Sequence, residues 1–323
     1  MDYVSIPSFI SKTLQGRSQP QDRNIASKSP HPLSYPKSSL RYNPQLFKNP
    51  SSEYRGCPFW AWNTKLDKDQ LLRQIDYFAE MELGRFHTHV RTGLDIEYMG
   101  TEFMDMIRAC VDYAETKQML ACLYDDDRWP SGAAGGKVIE KYPEHKGKHL
   151  LFTPHPYGTV PLGEGAPSSA RASRSMIELD NDGALKSNRI LKEDESGDNI
   201  WYAYVESNPN SSWFNDQTYI DTLSVDAMAR FIEITHEAYK DKCGEKFGSV
   251  VPCIFTDEPQ FATKIRLPHP RAKDDIFLPW TTDLPDSFKK EYHADIVESL
   301  PQVIWNLPDD KPSLSRYRYH DHV

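Results

Sequence analysis

Three consecutive carboxylates, Asp125, Asp126 and Asp127, follow a short apolar run and are followed in turn by Arg128 and Trp129. A strand that ends in carboxylates, a cation and an aromatic ring is typical of a parallel α/β enzyme, which presents its site at the carboxyl ends of its strands. On an extended backbone Asp125 and Asp127 would share one side and Asp126 would point to the other. One or two of them could bind sugar hydroxyls or a hard cation. Arg128 is expected to pair with one of them, and a purely structural Asp–Arg network is the alternative.

A second acidic pair, Asp257 and Glu258, ends another apolar run and precedes a proline. Glu258 is the first candidate for the catalytic acid, because the negative charge of Asp257 beside it would raise its pKa. Glycoside hydrolysis uses a pair of carboxylates, so both residues are candidate catalytic groups. The alternative is a carboxylate that only stabilises the N-terminus of the following turn.

His87, His89 and Arg91 alternate along one face of a predicted strand, where they could line a substrate site. A His-x-His pair on a strand can bind zinc, but zinc needs at least three protein ligands and no third ligand stands at a recognisable spacing, so no metal ligand is predicted. Asn63, at the end of the first strand, is a candidate for binding a hydroxyl group. Trp129 could stack on a sugar ring or close the core.

The small-residue loop at residues 132–136, GAAGG, has neither the G-x-x-x-x-G-K-[ST] nor the G-x-G-x-x-G pattern of phosphate sites. It is therefore predicted to be a tight turn or a flexible lid. The chain also lacks a G-x-S-x-G elbow and a Ser-His-Asp order, which argues against a serine hydrolase.

The elements that position these residues are predicted to be strands and helices that alternate along the chain. Apolar runs predict strands at residues 57–62, 85–90, 119–124 and 249–255, and apolar spacings of three and four predict helices at residues 66–83, 101–117 and 223–242. Asp67 is a plausible helix cap. Short connections between such elements imply right-handed crossovers and a parallel sheet.

Residues 149–210 show a different sequence pattern, in which strand-like segments are separated by polar turns that include Asn-Asp-Gly. This pattern predicts an antiparallel β insertion after the third strand. Residues 262–312 are Pro-rich and are predicted to be irregular with one helix near 286–298, and the last residues predict the start of another helix. Four β/α units amount to half of a (β/α)₈ barrel. The predicted fold class is α/β, a partial TIM-like (β/α) barrel with an antiparallel β insertion after its third strand.

Four regions follow from these patterns. Residues 1–45 form a disordered or strap-like arm, 46–148 the first half of the β/α region, 149–215 the antiparallel insertion, and 216–323 the continuation of the β/α region, truncated before barrel closure.

Composition limits the partners and the compartment. The formal charge is −9 in 323 residues and no cluster of five or more Lys or Arg appears, which argues against a nucleic-acid or anionic-membrane partner. Five cysteines without a C-x-x-C pattern indicate free thiols in a reducing compartment. With a poor signal peptide and no apolar span long enough to cross a membrane, the chain is expected to be cytoplasmic.

The motifs taken together resemble a known family. The run PFWAWNTKLDKDQLLRQIDYFAEMELGRFHTHVRTGLDIEYMG, the segment LYDDDRWPSGAAGG and the segment IFTDEPQF resemble the N-terminal barrel region of the α-L-rhamnosidase-like glycoside hydrolases of family 106, over about residues 54–262. The resemblance implies a TIM-like barrel with β-sandwich appendages, inverting hydrolysis of rhamnosides and a requirement for calcium. The second half of the barrel and a catalytic carboxylate from a later strand are missing from this sequence.

The expected function is therefore that of a glycoside hydrolase-like protein acting on a rhamnoside or related deoxy-sugar glycoside. Its partner would be a carbohydrate or a glycosylated small molecule, and an unclosed barrel edge would favour a homo-oligomer. No residue pattern points to a cofactor, and calcium is implied by the resemblance alone. Two alternatives stay open: a truncated non-catalytic remnant that binds a ligand or partner, and a metal-dependent hydrolase of a non-sugar substrate that uses the aspartates and histidines.

Overall fold

The computed structural model describes residues 43–156 and 170–323 of the chain. The predicted arm at residues 1–45 lies outside these ranges apart from its last three residues, and so does the end of the first strand-like segment of the insertion. One parallel and one antiparallel sheet, with helices packed against both, make this a mixed α/β fold.

The strands follow the predicted order along the chain. They are β1 (Phe59–Trp62), β2 (Arg85–Val90), β3 (Leu120–Tyr124), β4 (Lys148–Thr153), β5 (Ala170–Leu179), β6 (Leu185–Ile190), β7 (Ile200–Ser207), β8 (Ile254–Phe255) and β9 (Ile276–Trp280).

The helices lie between and after these strands. They are α1 (Pro44–Lys48), α2 (Lys68–Glu80), α3 (Thr101–Thr116), α4 (Lys137–Lys141), α5 (Val225–Ile232), α6 (Ala238–Cys243), α7 (Leu284–Tyr292), α8 (Ile296–Ile304) and α9 (Leu314–His322). A π-helical stretch, Glu233–Glu237, joins α5 to α6, so the long helix predicted at residues 223–242 is confirmed with one irregular turn. Short 3₁₀ turns occur at Ser52–Tyr54, Ala134–Gly136, Pro143–His145, Ser212–Phe214, Gly244–Lys246 and Pro308–Asp310.

The parallel sheet has the strand order β1-β2-β3-β8. Helices α2 and α3 connect its first three strands, which is the arrangement that short β-α-β connections predict. The side chain of Asp67 caps α2 by accepting from the amide of Gln70 at 2.8 Å, as expected. His87 on β2 lies in register between Phe59 on β1 and Cys122 on β3.

One face of the parallel sheet packs against the helices and the other does not. Trp62 and Phe86 on the packed face are buried with Ile75 of α2 and Ile107 of α3. Because side chains alternate along a strand, the opposite face carries the residues in between. Phe59, at 58% exposure, marks that opposite face, hereafter the open face.

The fourth parallel strand is shorter than predicted. Residues 249–255 were expected to form it, whereas β8 contains only Ile254–Phe255. The preceding stretch still follows β3, since Ala121 donates to the Val250 carbonyl at 2.9 Å and Leu123 to that of Cys253 at 3.1 Å. Pro252 lies within this stretch and has no amide hydrogen to donate, which interrupts a regular ladder.

The predicted antiparallel insertion is confirmed as a sheet of order β6-β5-β7-β4-β9. The predicted Asn-Asp-Gly turn joins β5 to β6, where Asp180 accepts from the amides of Asp182 at 3.0 Å and Ala184 at 2.8 Å. Gly183 has a φ of 86°, a left-handed value that glycine adopts without strain.

The prediction that residues 262–312 are irregular with one helix near 286–298 is wrong. This stretch contains β9, which pairs with β4, and the two helices α7 and α8. Pro279 lies inside β9 and Pro301 inside α8, so both elements contain a residue that normally argues against them. An edge strand accepts a proline because one side of it makes no ladder bonds.

A second core lies between the antiparallel sheet and the last three helices. Phe152, Trp201 and Leu278 of the sheet pack with Phe288 of α7 and Leu300 of α8. Helix α9, predicted from the last residues, adds the buried Tyr319, whose hydroxyl donates to the Pro279 carbonyl at 2.6 Å. The chain beyond the predicted insertion therefore completes the inserted sheet.

Within residues 43–156 and 170–323, β1 and β8 are the two outer strands of the parallel sheet. Closure of this sheet into a barrel stays a prediction. None of the helices in this part of the chain is long and apolar enough to cross a membrane.

Candidate functional site

Hydrogen bonds join the acidic turn that follows β3 to the Asp257–Glu258 segment that follows β8. The Ser131 amide donates to the Asp257 carbonyl at 2.9 Å, and the Asp257 amide donates to the Ser131 hydroxyl at 2.8 Å. The indole N–H of Trp129 donates to the Glu258 carboxylate at 3.0 Å. The two segments singled out in the sequence therefore lie side by side at the carboxyl edge of the parallel sheet.

The buried side chain of Asp125 accepts hydrogen bonds from both segments. Its Oδ1 accepts from the Ser131 hydroxyl and its Oδ2 from the Thr256 hydroxyl, each at 2.6 Å. Nε2 of His236 lies 3.5 Å from Oδ2. Burial raises the pKa of Asp125, and the two hydroxyl donors oppose that rise. The carboxylate has no exposed surface, so its oxygens act on the protein's own donors.

Asp126 holds the small-residue loop in place. Its Oδ2 accepts from the amides of Gly132 at 2.7 Å and Ala134 at 2.9 Å, and its Oδ1 accepts from Gly135 at 3.3 Å and Asp127 at 2.8 Å. The loop predicted to be a tight turn or a lid is thus wrapped around an internal carboxylate. Burial, followed by the charge of Asp127, raises the pKa of Asp126 well above its usual range.

Asp127 pairs with Arg128, so the prediction that this arginine neutralises one of the three carboxylates is confirmed. Asp127 Oδ2 accepts from Nε of Arg128 at 2.9 Å and from Nη2 at 2.7 Å. Asn215 completes the group, because its amide donates to the same oxygen at 3.1 Å and to the Gly135 carbonyl at 2.9 Å. The side chains of Asp125 and Asp127 therefore have separate sets of partners.

Asp257 lies beside a buried histidine. His89 Nε2 is 3.7 Å from Asp257 Oδ2, and the imidazole stacks on Tyr124 with ring centroids 3.9 Å apart. Burial, helped by the charge of Arg91, lowers the pKa of His89 to about 4, so the ring is neutral at neutral pH. Burial also raises the pKa of Asp257, while Arg91 opposes that rise and Glu258 adds to it.

Glu258 is the exposed member of the acidic pair. Its backbone has a φ of 48°, a left-handed conformation that side-chain-bearing residues seldom adopt. Such a conformation typically costs about 1–3 kcal/mol and persists only where the surroundings hold it. The hydrogen bond from Trp129 is one such contact.

An aromatic cavity of about 270 Å³ is connected to Glu258 through Trp129, which lines the cavity and donates to the Glu258 carboxylate. Trp129, Trp213 and Phe261 line it and are 37%, 44% and 51% exposed. The indole N–H of Trp213 donates to the Trp129 carbonyl at 2.7 Å, which fixes the two rings relative to each other. Exposed aromatic faces beside polar groups suit the stacking of a sugar ring.

A separate, more polar cleft of about 290 Å³ lies on the other side of the acidic turn. Arg91, Asp127, Arg128, Lys137 and Asn215 contribute to its walls. The guanidinium of Arg128 also lies over the ring of Trp213, at 5.9 Å from its centroid.

Within residues 43–156 and 170–323, no hydrogen bond or ion pair joins the side chain of Asn63 or His87 to these carboxylates. Asn63 is exposed at the end of β1, where its neighbour Trp62 accepts from the Arg91 amide at 3.2 Å. His87 lies one pleat before His89 on β2, next to Phe59 at 5.3 Å between ring centroids and close to Cys57 and Cys122.

The sequence reading missed Trp213, Asn215 and His236. Trp213 and Asn215 belong to the segment NSSWFND at residues 210–216, directly after the inserted strands. An aromatic residue and an amide in a polar loop could have suggested a binding role. No sequence pattern connected them to the acidic turn, which lies more than eighty residues earlier. His236 lies in the π-helical stretch, and its place on that helix alone gave no sign of Asp125.

Calcium, implied by the resemblance, does not fit the acidic turn. Ca²⁺ takes six to eight oxygen ligands. Asp125 and Asp126 instead direct both of their oxygens at hydroxyl and amide donors, and Asp127 directs Oδ2 at Arg128. The remaining oxygen, Asp127 Oδ1, is buried without a hydrogen-bond partner within residues 43–156 and 170–323, but one oxygen falls far short of the six to eight that calcium takes, so no step is assigned to calcium.

No protein-family model and no curated protein matches this chain. Among solved structures, it is similar to the structure of a rhamnosidase from Novosphingobium sp. PP1Y, at a TM-score of 0.47 and 12% sequence identity. The match covers 86% of this chain and 44% of that one, so the chain spans less than half the length of that structure. At this degree of similarity the match does not bear on the site.

Proposed function

We propose that this protein is glycoside hydrolase-like and acts on a rhamnoside or a related deoxy-sugar glycoside through carboxylate acid–base catalysis. The observation that supports it is the hydrogen bond from Trp129, which lines an aromatic cavity, to the carboxylate of Glu258, the neighbour of Asp257. We further propose that the four parallel strands are the first part of a TIM-like barrel, whose site would lie at this edge.

The two carboxyl groups suit different roles. A general acid must hold its proton near neutral pH, so the raised pKa of Asp257 favours it as the acid. Glu258 is exposed beside the cavity and would act as the base or nucleophile. This reverses the roles expected from the sequence, in which Glu258 was the first candidate for the acid, because burial raises the pKa of Asp257.

The aromatic cavity would bind the sugar. Trp129 and Trp213 offer ring faces, and Phe261 adds an apolar surface on which the methyl group of a deoxy sugar could pack. Gln260 and Lys148 in the same wall supply polar groups for hydroxyls. A cavity with apolar walls and a few polar groups is the usual form of a small-molecule site.

Turnover of an aryl α-L-rhamnoside by the full chain tests the proposal. Glu258→Gln and Asp257→Asn should each lower kcat/KM by about 10²–10⁴-fold, the usual contribution of a positioned acid or base. Glu291→Gln replaces an exposed Glu on α7 and should leave turnover unchanged. Circular dichroism of each variant checks that the fold is retained.

Two outcomes would replace the proposal. If the wild type binds rhamnose, seen as a change in tryptophan fluorescence, but turns over no aryl glycoside, the protein is a binding protein. If turnover is abolished by a chelator and restored by a divalent cation, it is a metal-dependent hydrolase.

A further inference from the structure

A group of sulfur and imidazole side chains lies on the open face of the parallel sheet. The ligand atoms of Cys57, His87 and Cys122 all lie within 4.8 Å of one another. Among the residues that the structure describes, this is the group of Cys, His and acidic residues whose spacing suits a metal ion. The proposed sugar chemistry makes no use of it.

Strand register brings these residues together. His87 on β2 is the direct partner of Phe59 on β1 and of Cys122 on β3. Cys57 precedes Phe59 by two residues, and the His87 amide donates to the Pro58 carbonyl at 3.0 Å, so strand pairing extends back toward Cys57. Residues separated by 65 positions in the sequence thus meet on one face.

A third thiol adjoins the group. Cys253 immediately precedes Ile254, the β8 partner of Leu123, and this places it beside Cys122. Cys253 is exposed, so the group opens to solvent at this end.

The group contains polar atoms that the rest of the protein leaves without partners. Nδ1 of His87 and Nε of Arg85 are buried and have no hydrogen-bond partner within residues 43–156 and 170–323. Buried polar atoms without partners are uncommon, and a missing ion is one explanation for them. Arg85 lies two residues before His87 on the same face, where its charge would offset that of thiolates.

We propose that Cys57, His87, Cys122 and Cys253 bind one zinc ion as a tetrahedral Cys₃His site. Three thiolates and an imidazole are a usual ligand set of structural zinc, and the absence of carboxylates from the group disfavours calcium or magnesium. With Zn–S bonds of about 2.3 Å, tetrahedral ligand atoms lie about 3.8 Å apart. Small side-chain rotations would bring the three close ligand atoms to that spacing.

The zinc ion would join all four parallel strands on the open face. Cys57 lies two residues before β1 and Cys253 immediately before β8, while His87 lies on β2 and Cys122 on β3. Since β8 contains only two residues, a bond from Cys253 would add an attachment that the short ladder does not provide. The segment held in this way is the one that leads to Asp257 and Glu258.

Metal binding by the full-length chain tests the proposal. The protein is stripped of metal under a non-thiol reductant and titrated with Zn²⁺ in competition with a chromophoric chelator, and Co²⁺ serves as a spectroscopic probe. We expect one equivalent of zinc, a thiolate-to-cobalt charge-transfer band and the visible bands of tetrahedral cobalt.

Two variants at partly exposed ligands and one matched control complete the design. Cys57→Ser and His87→Gln should weaken zinc binding by more than the about 10–100-fold that loss of an outer partner costs. Cys243→Ser replaces a buried thiol outside the group, which donates to the Tyr239 carbonyl at 3.3 Å, and should bind zinc as the wild type does. If Cys57→Ser fails to fold by circular dichroism, His87→Gln decides.

Four results would overturn the proposal. They are an absence of stoichiometric zinc binding in the folded wild type, a cobalt spectrum without a thiolate band, unchanged binding in His87→Gln, and an equal loss of binding in Cys243→Ser. Intact mass under non-reducing conditions adds a check, since a disulfide between Cys122 and either neighbouring thiol in the purified protein would leave too few ligands for zinc.

Discussion

Asp126 shows how a single buried side chain can set the shape of a loop. Its two oxygens accept from four backbone amides, three of them in the turn that carries Gly132 and Gly135. Both glycines have positive φ values, 134° and 64°, so this turn depends on glycine as well as on the carboxylate. Trp129 begins the same turn, and the position of its ring beside Glu258 depends on it.

Replacing Asp126 by Asn tests this role. In Asp126→Asn the side-chain NH₂ would replace one carboxylate oxygen and would face backbone N–H groups that now donate to that oxygen. Those buried donors would lose their acceptor, at a cost of about 1–3 kcal/mol each. We expect Asp126→Asn to lower the free energy of unfolding by about 2–4 kcal/mol, measured by urea denaturation. Asp194→Asn, at an exposed turn, should change it by less than about 0.5 kcal/mol. Equal effects in the two variants would contradict the role assigned to Asp126.

At the scale of residues, the sequence predicted contacts between neighbouring residues and the residues at strand ends. It did not predict partners that are far apart in the sequence. The pairing of Asp127 with Arg128 follows from neighbouring opposite charges. Asn215, the second partner of Asp127, lies 88 positions away, and only the folded chain brings it there. Glu258 was readable as a carboxylate at a strand end, whereas the burial that raises the pKa of Asp257 depends on its three-dimensional surroundings.

At the scale of elements, the antiparallel sheet contains an ionisable cross-strand pair. His149 on β4 is the register partner of Glu206 on β7, and its Nε2 lies 3.0 Å from the carboxylate. Its Nδ1 lies 3.0 Å from the side-chain oxygen of Asn208. Burial opposes protonation of His149, but the hydrogen bonds with Glu206 and Asn208 outweigh it and the pKa is raised.

The raised pKa has a defined consequence for stability. The folded state binds a proton at His149 more tightly than the unfolded state, so the stabilisation is complete below the unfolded pKa of about 6.5 and is lost as pH rises through the folded pKa. The difference in unfolding free energy between wild type and His149→Gln should therefore be larger at pH about 5.5 than at pH about 8.5. His269→Gln, at an exposed position, serves as the control. A wild-type advantage that grows with pH would contradict the assigned direction.

Strongly periodic elements were predictable, and elements containing proline were not. Strand β2 and helix α3 agree with the predicted limits to within one residue, because the buried residues of α3 recur at spacings of three and four and β2 is a short segment of alternating residue types. Strand β9 was not predicted, because it contains Pro279 and lies in a Pro-rich stretch that resembles a loop. Its partner β4 also lies more than 120 residues earlier. An edge position explains why the fold accepts that proline.

At the scale of the whole molecule, two sheets have separate cores and the parallel sheet has an open face. The first core contains Trp62 and Phe86, and the second contains Trp201 and Phe288. The sequence predicted both sheets, because alternating strands and helices give way after residue 148 to strand-like segments separated by polar turns. It could not predict that the chain would return to complete the antiparallel sheet, since nothing in the local pattern specifies which strand β9 pairs with.

We predict that the chain self-associates through the outer strand β1 and the exposed ring of Phe59. Outer strands present unpaired backbone groups, and an adjoining apolar ring adds area that a second copy could bury. We expect sedimentation velocity to show a concentration-dependent dimer, and Phe59→Ser to raise its dissociation constant by about 10–100-fold, from about 1.5–3 kcal/mol per buried aromatic ring. Val225→Ser, at an exposed valine on α5, should leave the dissociation constant unchanged. A monomer at every concentration would contradict this prediction.

The wall of the aromatic cavity and the carboxylates beside it come from different parts of the chain. Trp213 stands where the chain leaves the inserted sheet, whereas Asp257 and Glu258 extend from β8. A change of length in the inserted strands would displace the ring of Trp213 and leave the acidic pair in place. In the proposed glycoside hydrolase, substrate selectivity and the bond-breaking step would therefore reside on separable stretches, so that one could diversify while the other is retained.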